Sequence, residues 1–337
     1  MTRRFVEVMA GLLAMGIANA GAGIAQEEQQ YNRLYEAEQD TFDLPSRQRA
    51  RAIEEKYGEL FPRRTVDEIE EMKDGDLAFG FRAAFTALFY ARSRPYLEVM
   101  SDHLSEMERR GIAQDQMRED FYRGLIGLRA FDEAAAYLSR HPGLQVEPVP
   151  AIAPAGSGAD RGPMVYRTDP DEFKLLREHI RIDQGIAVVA VVHPLCNPSR
   201  RAMEAILKDV ELLDAMKTSV HWVAPQSVRL NFDAVQDWNR EHPDIQIGIA
   251  HDTHQWPGID DWSTPHFYLL RDGALLDQFM GWPGEGGNRA RLVELLERGE
   301  LLRRTGATGP AMAGAGFSRP RFASGPAART RPERSCS

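Results

Sequence analysis

One cysteine stands where the sequence could carry thiol chemistry. Cys196 follows an apolar run at positions 186–192 and is itself followed by Asn197, Pro198 and Ser199, after which the pattern becomes helical. A buried strand that passes through a short turn into a helix has this order. The start of a helix carries unpaired N–H groups and a partial positive charge, which favour a thiolate over a thiol. We therefore expect Cys196 to be a nucleophile at an exposed turn.

The residue three positions later decides which thiol chemistry is available. Ser199 stands there, so a mixed disulfide on Cys196 has no neighbouring thiol to resolve it. A serine hydroxyl in that place can hydrogen-bond the thiolate and stabilise it. Release of the substrate then requires a substrate thiol, a small thiol or a partner protein. This spacing favours monothiol exchange or isomerisation. The alternative is a cysteine without a catalytic role, on a fold used for packing or binding.

Histidines near the cysteine suggest a second, metal-based hypothesis. Sulfur and imidazole are ligands for copper and zinc, and the weaker candidates for such a site are His193, His251, His254 and His266. Nine histidines in 337 residues are no enrichment, and histidine pairs in loops are usually solvated. We therefore predict no metal site and keep these four residues as the alternative.

Residues 163–302 supply the elements that must position these side chains. Apolar periodicity predicts strands at 164–167, 186–192, 220–224, 245–250, 266–270 and 275–280, and helices at 171–180, 198–216, 232–241 and 288–298. Asp272 and Gly273, between the last two strands, are typical of a hairpin turn. The pattern indicates an α/β fold with a central mixed sheet and flanking helices.

This order of elements resembles the thioredoxin fold with a small N-terminal addition. Two landmarks carry the resemblance: Cys196 at a strand-to-helix turn, and Thr264-Pro265 immediately before the hairpin. In thioredoxin-like proteins a cis-proline there faces the active cysteine, and the residue before it offers backbone hydrogen bonds to an extended substrate. The resemblance implies a cis bond at Thr264–Pro265 and substrate binding by Thr264, Pro265 and Pro198. The chain departs from the family in having Ser199 where a dithiol enzyme has its second cysteine.

Residues 26–142 are predicted to form an all-α domain ahead of this unit. Phe81, Phe85 and Leu88 are part of an apolar face at helical spacing. Two architectures fit equally well: paired helices of the tetratricopeptide type, although without a clean repeat, and a plain helical bundle that packs on the second domain. Residues 143–162, rich in proline and glycine, are predicted to be a flexible or extended linker.

The N-terminus looks like an export signal. In residues 1–25, Arg3 and Arg4 precede an apolar stretch. Ala18-Asn19-Ala20 has the small residues that are typical of a signal-peptide cleavage site. We therefore predict a periplasmic or secreted protein. Two cysteines do not make a disulfide framework, so stability must come from the core.

The C-terminal tail, residues 303–337, has a composition of its own. It holds seven arginines and one glutamate, a charge of +6 in a chain whose net charge is −9. Its composition predicts disorder, and the acidic remainder argues against nucleic acid as a partner. Cys336 lies almost at its end. A flexible segment of this length reaches roughly 30 Å, so Cys336 could visit Cys196 as a resolving thiol.

Taken together, these features predict an exported monothiol oxidoreductase or isomerase. It would act through Cys196 on extracytoplasmic protein thiols or disulfides, and this chemistry requires no cofactor. One alternative is a non-catalytic thioredoxin-fold adaptor whose helical domain binds an envelope protein partner. Another is a metal-binding chaperone that uses Cys196 and the nearby histidines.

Overall fold

The computed structural model describes residues 26–153, 162–217, 219–284 and 287–302. Over these ranges the protein is a mixed α/β structure with eleven α-helices and one eight-stranded mixed sheet. The predicted export signal, part of the predicted linker and the basic tail with Cys336 lie outside these ranges. Among the helices described, none is long and apolar enough to cross a membrane.

Seven helices make up the first part of the chain. They are α1 Gln26–Asp40, α2 Ser46–Leu60, α3 Val66–Glu70, α4 Asp74–Ala91, α5 Arg94–Arg109, α6 Asp115–Gly127 and α7 Phe131–Arg140. Helix α4 packs against α1, α2, α5 and α6. It can do so because its buried residues, among them Leu77, Ala83 and Leu88, cover one broad face of the helix. Gly80 lets α5 come close, since a Cβ atom there would lie 2.5 Å from Nε2 of His103.

Eight strands form the sheet of the second part. They are β1 Ala151–Ala153, β2 Met164–Thr168, β3 Lys174–His179, β4 Ile186–Val191, β5 Val220–Ala224, β6 Ile247–Ala250, β7 His266–Arg271 and β8 Ala274–Met280. Their order across the sheet is β1-β3-β2-β6-β5-β4-β7-β8. Strands β4, β5 and β6 are parallel, and β7 is antiparallel to both β4 and β8. Strand β4 is an unbroken apolar run because both faces of the sheet are covered.

Four helices and one short 3-10 turn connect or flank the strands. They are α8 Asn197–Leu207, α9 Val210–Met216, α10 Phe232–Glu241, α11 Arg289–Arg298 and the 3-10 turn Thr253–Gln255. Helices α8 and α9 lead from β4 to β5, and α10 leads from β5 to β6. The carboxyl ends of these three parallel strands therefore meet at one edge of the sheet, where ligand and catalytic sites of open α/β sheets usually lie.

The helix predicted at positions 171–180 is wrong: this segment is strand β3. The carboxylate of Asp169 accepts hydrogen bonds from the backbone N–H groups of Asp171 and Glu172, each at 3.0 Å, which closes a tight turn after β2. The chain then returns antiparallel to β2 and parallel to β1. Pairing on both sides satisfies the backbone of this segment, so its weak helical pattern does not decide the structure.

Two further boundaries differ from the sequence prediction. Strand β1 lies inside the predicted linker, where the N–H group of Ala151 donates to the carbonyl of Phe173 at 3.1 Å. The helix predicted over 198–216 is two helices, because the Asp209 carboxylate accepts from the N–H group of Leu212 at 3.2 Å and so caps a new helix, α9. The predicted hairpin is confirmed. Asp272 and Gly273 have positive φ values of 50° and 77°, as a type I′ turn requires.

Candidate functional site

Cys196 lies where β4 passes into α8. It is the N-cap residue of that helix, and Pro198 occupies the first helical turn, where a missing N–H group costs nothing. The Cys196 N–H group donates to the carbonyl of His193 at 3.0 Å, and the Cys196 carbonyl accepts from the N–H group of Arg200 at 2.9 Å. The sulfur therefore sits at the positive end of α8 and at the edge where the parallel strands end.

Thr264 and Pro265 lie opposite this cysteine, at the start of β7. The Sγ atom of Cys196 is 3.5 Å from the carbonyl oxygen of Thr264. The Thr264–Pro265 peptide bond is cis, which confirms the prediction for that bond. The strand register explains why Cys196 and Thr264 are close, since Val191, the last residue of β4, pairs with His266, the first residue of β7. A residue just after β4 and one just before β7 must then come close.

The sulfur of Cys196 is disulfide-bonded. The residue is only 3% exposed, so the expectation of an exposed turn is wrong. The sequence contains one other cysteine, Cys336, which lies outside the described residues. A disulfide sulfur carries no hydrogen, so its approach to the Thr264 carbonyl is a packing contact in this state. The same geometry becomes a weak S–H···O hydrogen bond when the disulfide is reduced to a thiol.

Ser199 does not support the sulfur in the way the spacing predicted. The residue is fully buried, and its Oγ atom has no hydrogen-bond partner in the part of the chain that the structure describes. The buried face of α8 includes Ser199, Ala202 and Met203, so the hydroxyl belongs to the core side of the helix. A hydrogen bond from Ser199 to Cys196 is therefore not formed in this disulfide-bonded state.

His193 shapes the turn rather than supplying a charge. Its Nδ1 atom accepts a hydrogen bond from the N–H group of Leu195 at 3.1 Å, and its Nε2 atom lies 3.3 Å from the side-chain amide of Asn231. Burial lowers the pKa of His193 to about 4. The imidazole is therefore neutral at pH 7, and its Nδ1 lone pair is already used by the backbone of the turn.

The other three histidines lie in separate environments. The Nδ1 atom of His251 is 2.9 Å from the hydroxyl of Tyr166, and His254 pairs with Asp252 on an exposed 3-10 turn. His266 is buried beside Tyr268. Within the described ranges, no group of three or more histidine, cysteine, aspartate or glutamate side chains is placed to hold a metal ion. The structure does not gather the four histidine candidates and Cys196 into one metal centre.

A carboxylate that sequence analysis did not single out organises the loop before Pro265. The Oδ1 atom of Asp261 accepts hydrogen bonds from the hydroxyl of Ser46 at 2.9 Å, and from the N–H group and hydroxyl of Ser263 at 3.1 and 2.8 Å. The pair Asp261 and Ser263 has the spacing of a local aspartate turn, which the sequence could have revealed. The contact with Ser46 joins distant segments and has no sequence signal.

Two exposed apolar side chains lie close to the site, one in the sequence and one in the strand register. Leu195, immediately before the cysteine, is 63% exposed, and Met280, which pairs with His266, is 46% exposed. The N–H group of Gly281 donates to the carbonyl of Pro265 at 2.8 Å, which ties the end of β8 to the proline. Exposed apolar side chains of this kind suit contact with apolar segments of another polypeptide.

No family model, curated protein or solved structure matches this chain. The thioredoxin resemblance therefore rests on the residues themselves. Chemically, the arrangement offers a disulfide sulfur at a helix start, with the backbone carbonyl of Thr264 facing it.

Proposed function

We propose that this protein is a thioredoxin-like thiol–disulfide exchange protein that acts on other proteins through Cys196. The observation that carries the proposal is a disulfide-bonded sulfur at the start of α8, 3.5 Å from the Thr264 carbonyl oxygen. A sulfur in a disulfide is the atom that a substrate thiolate attacks. The positive end of a helix stabilises a cysteine that leaves as a thiolate.

The exchange consists of two displacements. A substrate thiolate attacks the Cys196 sulfur, the bond to the partner sulfur breaks, and that partner leaves as a thiolate. A second thiolate of the substrate then attacks the substrate sulfur of the mixed disulfide, and Cys196 leaves as a thiolate. The substrate dithiol loses two electrons and two protons, and the protein disulfide becomes two thiols. Ser199 offers no thiol, and attack by the released partner thiolate would only reverse the first displacement, so the substrate completes the second step.

We propose Cys336 as the partner sulfur. The reason is the cysteine count, since the sequence contains only Cys196 and Cys336. Cys336 lies outside the described residues, so this assignment rests on the sequence and on the bonded state of Cys196.

The proposed compartment is the periplasm or the exterior of the cell. Two features support it: the signal-like pattern of residues 1–25, and the disulfide at Cys196, since disulfides persist mainly in oxidising compartments. The proposed substrates are therefore extracytoplasmic proteins, and the exposed side chains of Leu195 and Met280 favour those with exposed apolar segments.

Burial of the sulfur favours a second candidate function. Cys196 is 3% exposed and Ser199 is fully buried, as in a disulfide that serves only to hold the chain. On that account the protein is a non-catalytic adaptor, and its helical region binds a partner in an envelope assembly. Structural disulfides resist reduction by thiol pools, so the two functions differ in a measurable property.

A disulfide-transfer assay tests the proposal. Oxidised protein is mixed with a reduced, unfolded test protein that carries two thiols, and the thiols of both proteins are counted over time. Exchange predicts one disulfide formed in the test protein for each one lost from this protein. The matched control is Cys196→Ala, which should leave the test protein reduced. If the wild type keeps its disulfide and the test protein stays reduced, the adaptor function is favoured.

A further inference from the structure

The start of helix α2 is capped from outside the helical region. Pro45 precedes the helix and offers no side-chain cap, so the first N–H groups of the helix need other acceptors. The N–H group of Ser46 points to Oδ1 of Asp261 at 3.4 Å, and that of Arg47 donates to the carbonyl of Asp260 at 3.0 Å. The acceptors belong to the loop between β6 and β7, and the Asp261 carboxylate sits at the positive end of α2.

The contact between the first turn of α2 and loop residues 260–263 is called the junction here, and the hydroxyl of Ser46 is part of it. It donates to Oδ1 of Asp261 at 2.9 Å and accepts from the N–H group of Trp262 at 3.0 Å. The same Oδ1 atom accepts from both the N–H group and the hydroxyl of Ser263. Hydrogen bonds to a carboxylate are stronger than those between neutral groups. One side chain of the helical region therefore bonds two consecutive residues of the loop, Asp261 and Trp262, and Asp261 in turn holds Ser263.

A second residue of the same helical turn holds the preceding part of the loop. The guanidinium group of Arg47 donates to the carbonyls of Thr253 and Trp256 at 3.4 and 3.2 Å. Trp256 is fully buried and makes an edge contact with Trp262, with ring centroids 5.6 Å apart. The first turn of α2 thus makes hydrogen bonds to the loop at Trp256 and at Trp262.

The loop leads directly to the thiol site. Ser263 is followed in the chain by Thr264, whose carbonyl oxygen lies 3.5 Å from the sulfur of Cys196. We infer that Ser46 is a positioning residue for this site: through Asp261 and Ser263, it sets Thr264 and Pro265 in the place where a substrate polypeptide binds beside Cys196. This inference rests on the proposed function. It adds that the helical region takes part in substrate binding without touching the substrate.

The experiment compares two serine variants of the full-length protein. Ser46→Ala removes the junction. Ser139→Ala is the control for the loss of a serine hydroxyl, because that hydroxyl donates a 2.9 Å hydrogen bond to the carbonyl of Ala136 within α7. Each variant is reduced by dithiothreitol and by a reduced, unfolded test protein, and the two second-order rates are compared. Ser46→Thr, which keeps the hydroxyl, serves as the rescue variant.

Ser46→Ala should slow reduction by the test protein about tenfold, roughly the effect of one lost hydrogen bond to a charged group. Its reduction by dithiothreitol should change less than about twofold, since a small dithiol needs only the sulfur. Ser139→Ala should match the wild type in both rates, and Ser46→Thr should recover most of the loss. Equal slowing of both rates in Ser46→Ala, or no slowing in either, would overturn the inference.

A second readout separates this inference from the proposed function. Amide hydrogen exchange of the peptide covering residues 260–266 should quicken in Ser46→Ala and stay unchanged in Ser139→Ala, whereas residues 220–224 in β5 should be unaffected. If the wild type transfers no disulfide but this local change appears, the proposed function fails and the junction stands. If exchange at 260–266 is the same in all variants, Ser46 does not hold the loop.

Discussion

Ser46 and Asp261 lie 215 positions apart in the sequence, and the hydroxyl of one donates to the carboxylate of the other over 2.9 Å. This contact links the first turn of α2 to the loop that places Thr264 opposite the sulfur of Cys196. The helical region and the sheet therefore meet close to the candidate site.

Removing the sulfur should affect stability as well as exchange. We expect Cys196→Ala to be inactive and to lower the free energy of unfolding by about 2–4 kcal/mol, the usual contribution of a disulfide. Urea denaturation of the variant measures the loss, with reduced wild type as the matched control. The two proteins should unfold at similar urea concentrations, because both lack the disulfide. Wild-type stability in Cys196→Ala would mean that the disulfide contributes nothing to the fold.

Two substitutions at Ser199 test its role, one that removes the hydroxyl and one that introduces a thiol. Its hydroxyl is fully buried without a hydrogen-bond partner among the described residues, so Ser199→Ala should be neutral or should stabilise the protein by up to about 1 kcal/mol. Exchange rates should not change. Ser199→Cys puts a thiol about one helical turn from the sulfur and should shorten the lifetime of mixed disulfides. Slower exchange in Ser199→Ala would show that the hydroxyl does assist the sulfur.

The buried histidines predict a loss of stability on acidification. Burial lowers the pKa of His193 to about 4, below the usual value of about 6.5. The folded protein therefore favours the neutral imidazole of His193. The contribution of this neutral group to the free energy of unfolding is complete above about pH 6.5 and is lost as the pH falls toward about 4. For His193 the loss amounts to about 3 kcal/mol, and His266, whose pKa burial also lowers to about 4, acts in the same direction.

Unfolding free energies measured between pH 7 and pH 4 test this statement. His193→Gln should flatten the pH dependence relative to the wild type. The same slope in His193→Gln as in the wild type would show that His193 already takes up its proton in the folded protein.

The partner of Cys196 can be identified by peptide mapping. Digestion without reducing agent should yield one cross-linked peptide that contains Cys196 and Cys336. The expectation follows from the cysteine count and the bonded state of Cys196. Cys336→Ser should remove that peptide and give a titratable thiol. A disulfide-linked dimer through Cys196 in the native protein would contradict the assignment.

Export can be checked at the N-terminus. Arg3, Arg4 and the Ala18-Asn19-Ala20 site predict that the mature protein begins between about Gly21 and Gln26. Sequencing of the protein recovered from its native compartment decides the matter. An intact Met1 on protein found in the cytosol would contradict the prediction.

Local patterns predicted the centre of the site well. The apolar run of β4, the turn at Cys196 and the Asp272–Gly273 hairpin are each encoded in a few neighbouring residues. Strand β3 was missed because its character comes from pairing with β1 and β2, which no local pattern reveals. The burial of Cys196, the inward direction of Ser199 and the Ser46–Asp261 contact depend on tertiary packing, so the sequence alone could not predict them.

If Cys196 exchanges disulfides with other proteins, a mixed disulfide forms on its sulfur, and this intermediate can be trapped. Oxidised full-length protein is mixed with a reduced, unfolded test protein, quenched in acid after short times, and analysed by mass spectrometry. Exchange through Cys196 predicts a mixed disulfide between the test protein and Cys196 that appears before the test protein becomes oxidised, and that persists longer than in Ser199→Cys. An internal disulfide that survives unchanged, with no adduct on Cys196 at any time, would contradict it.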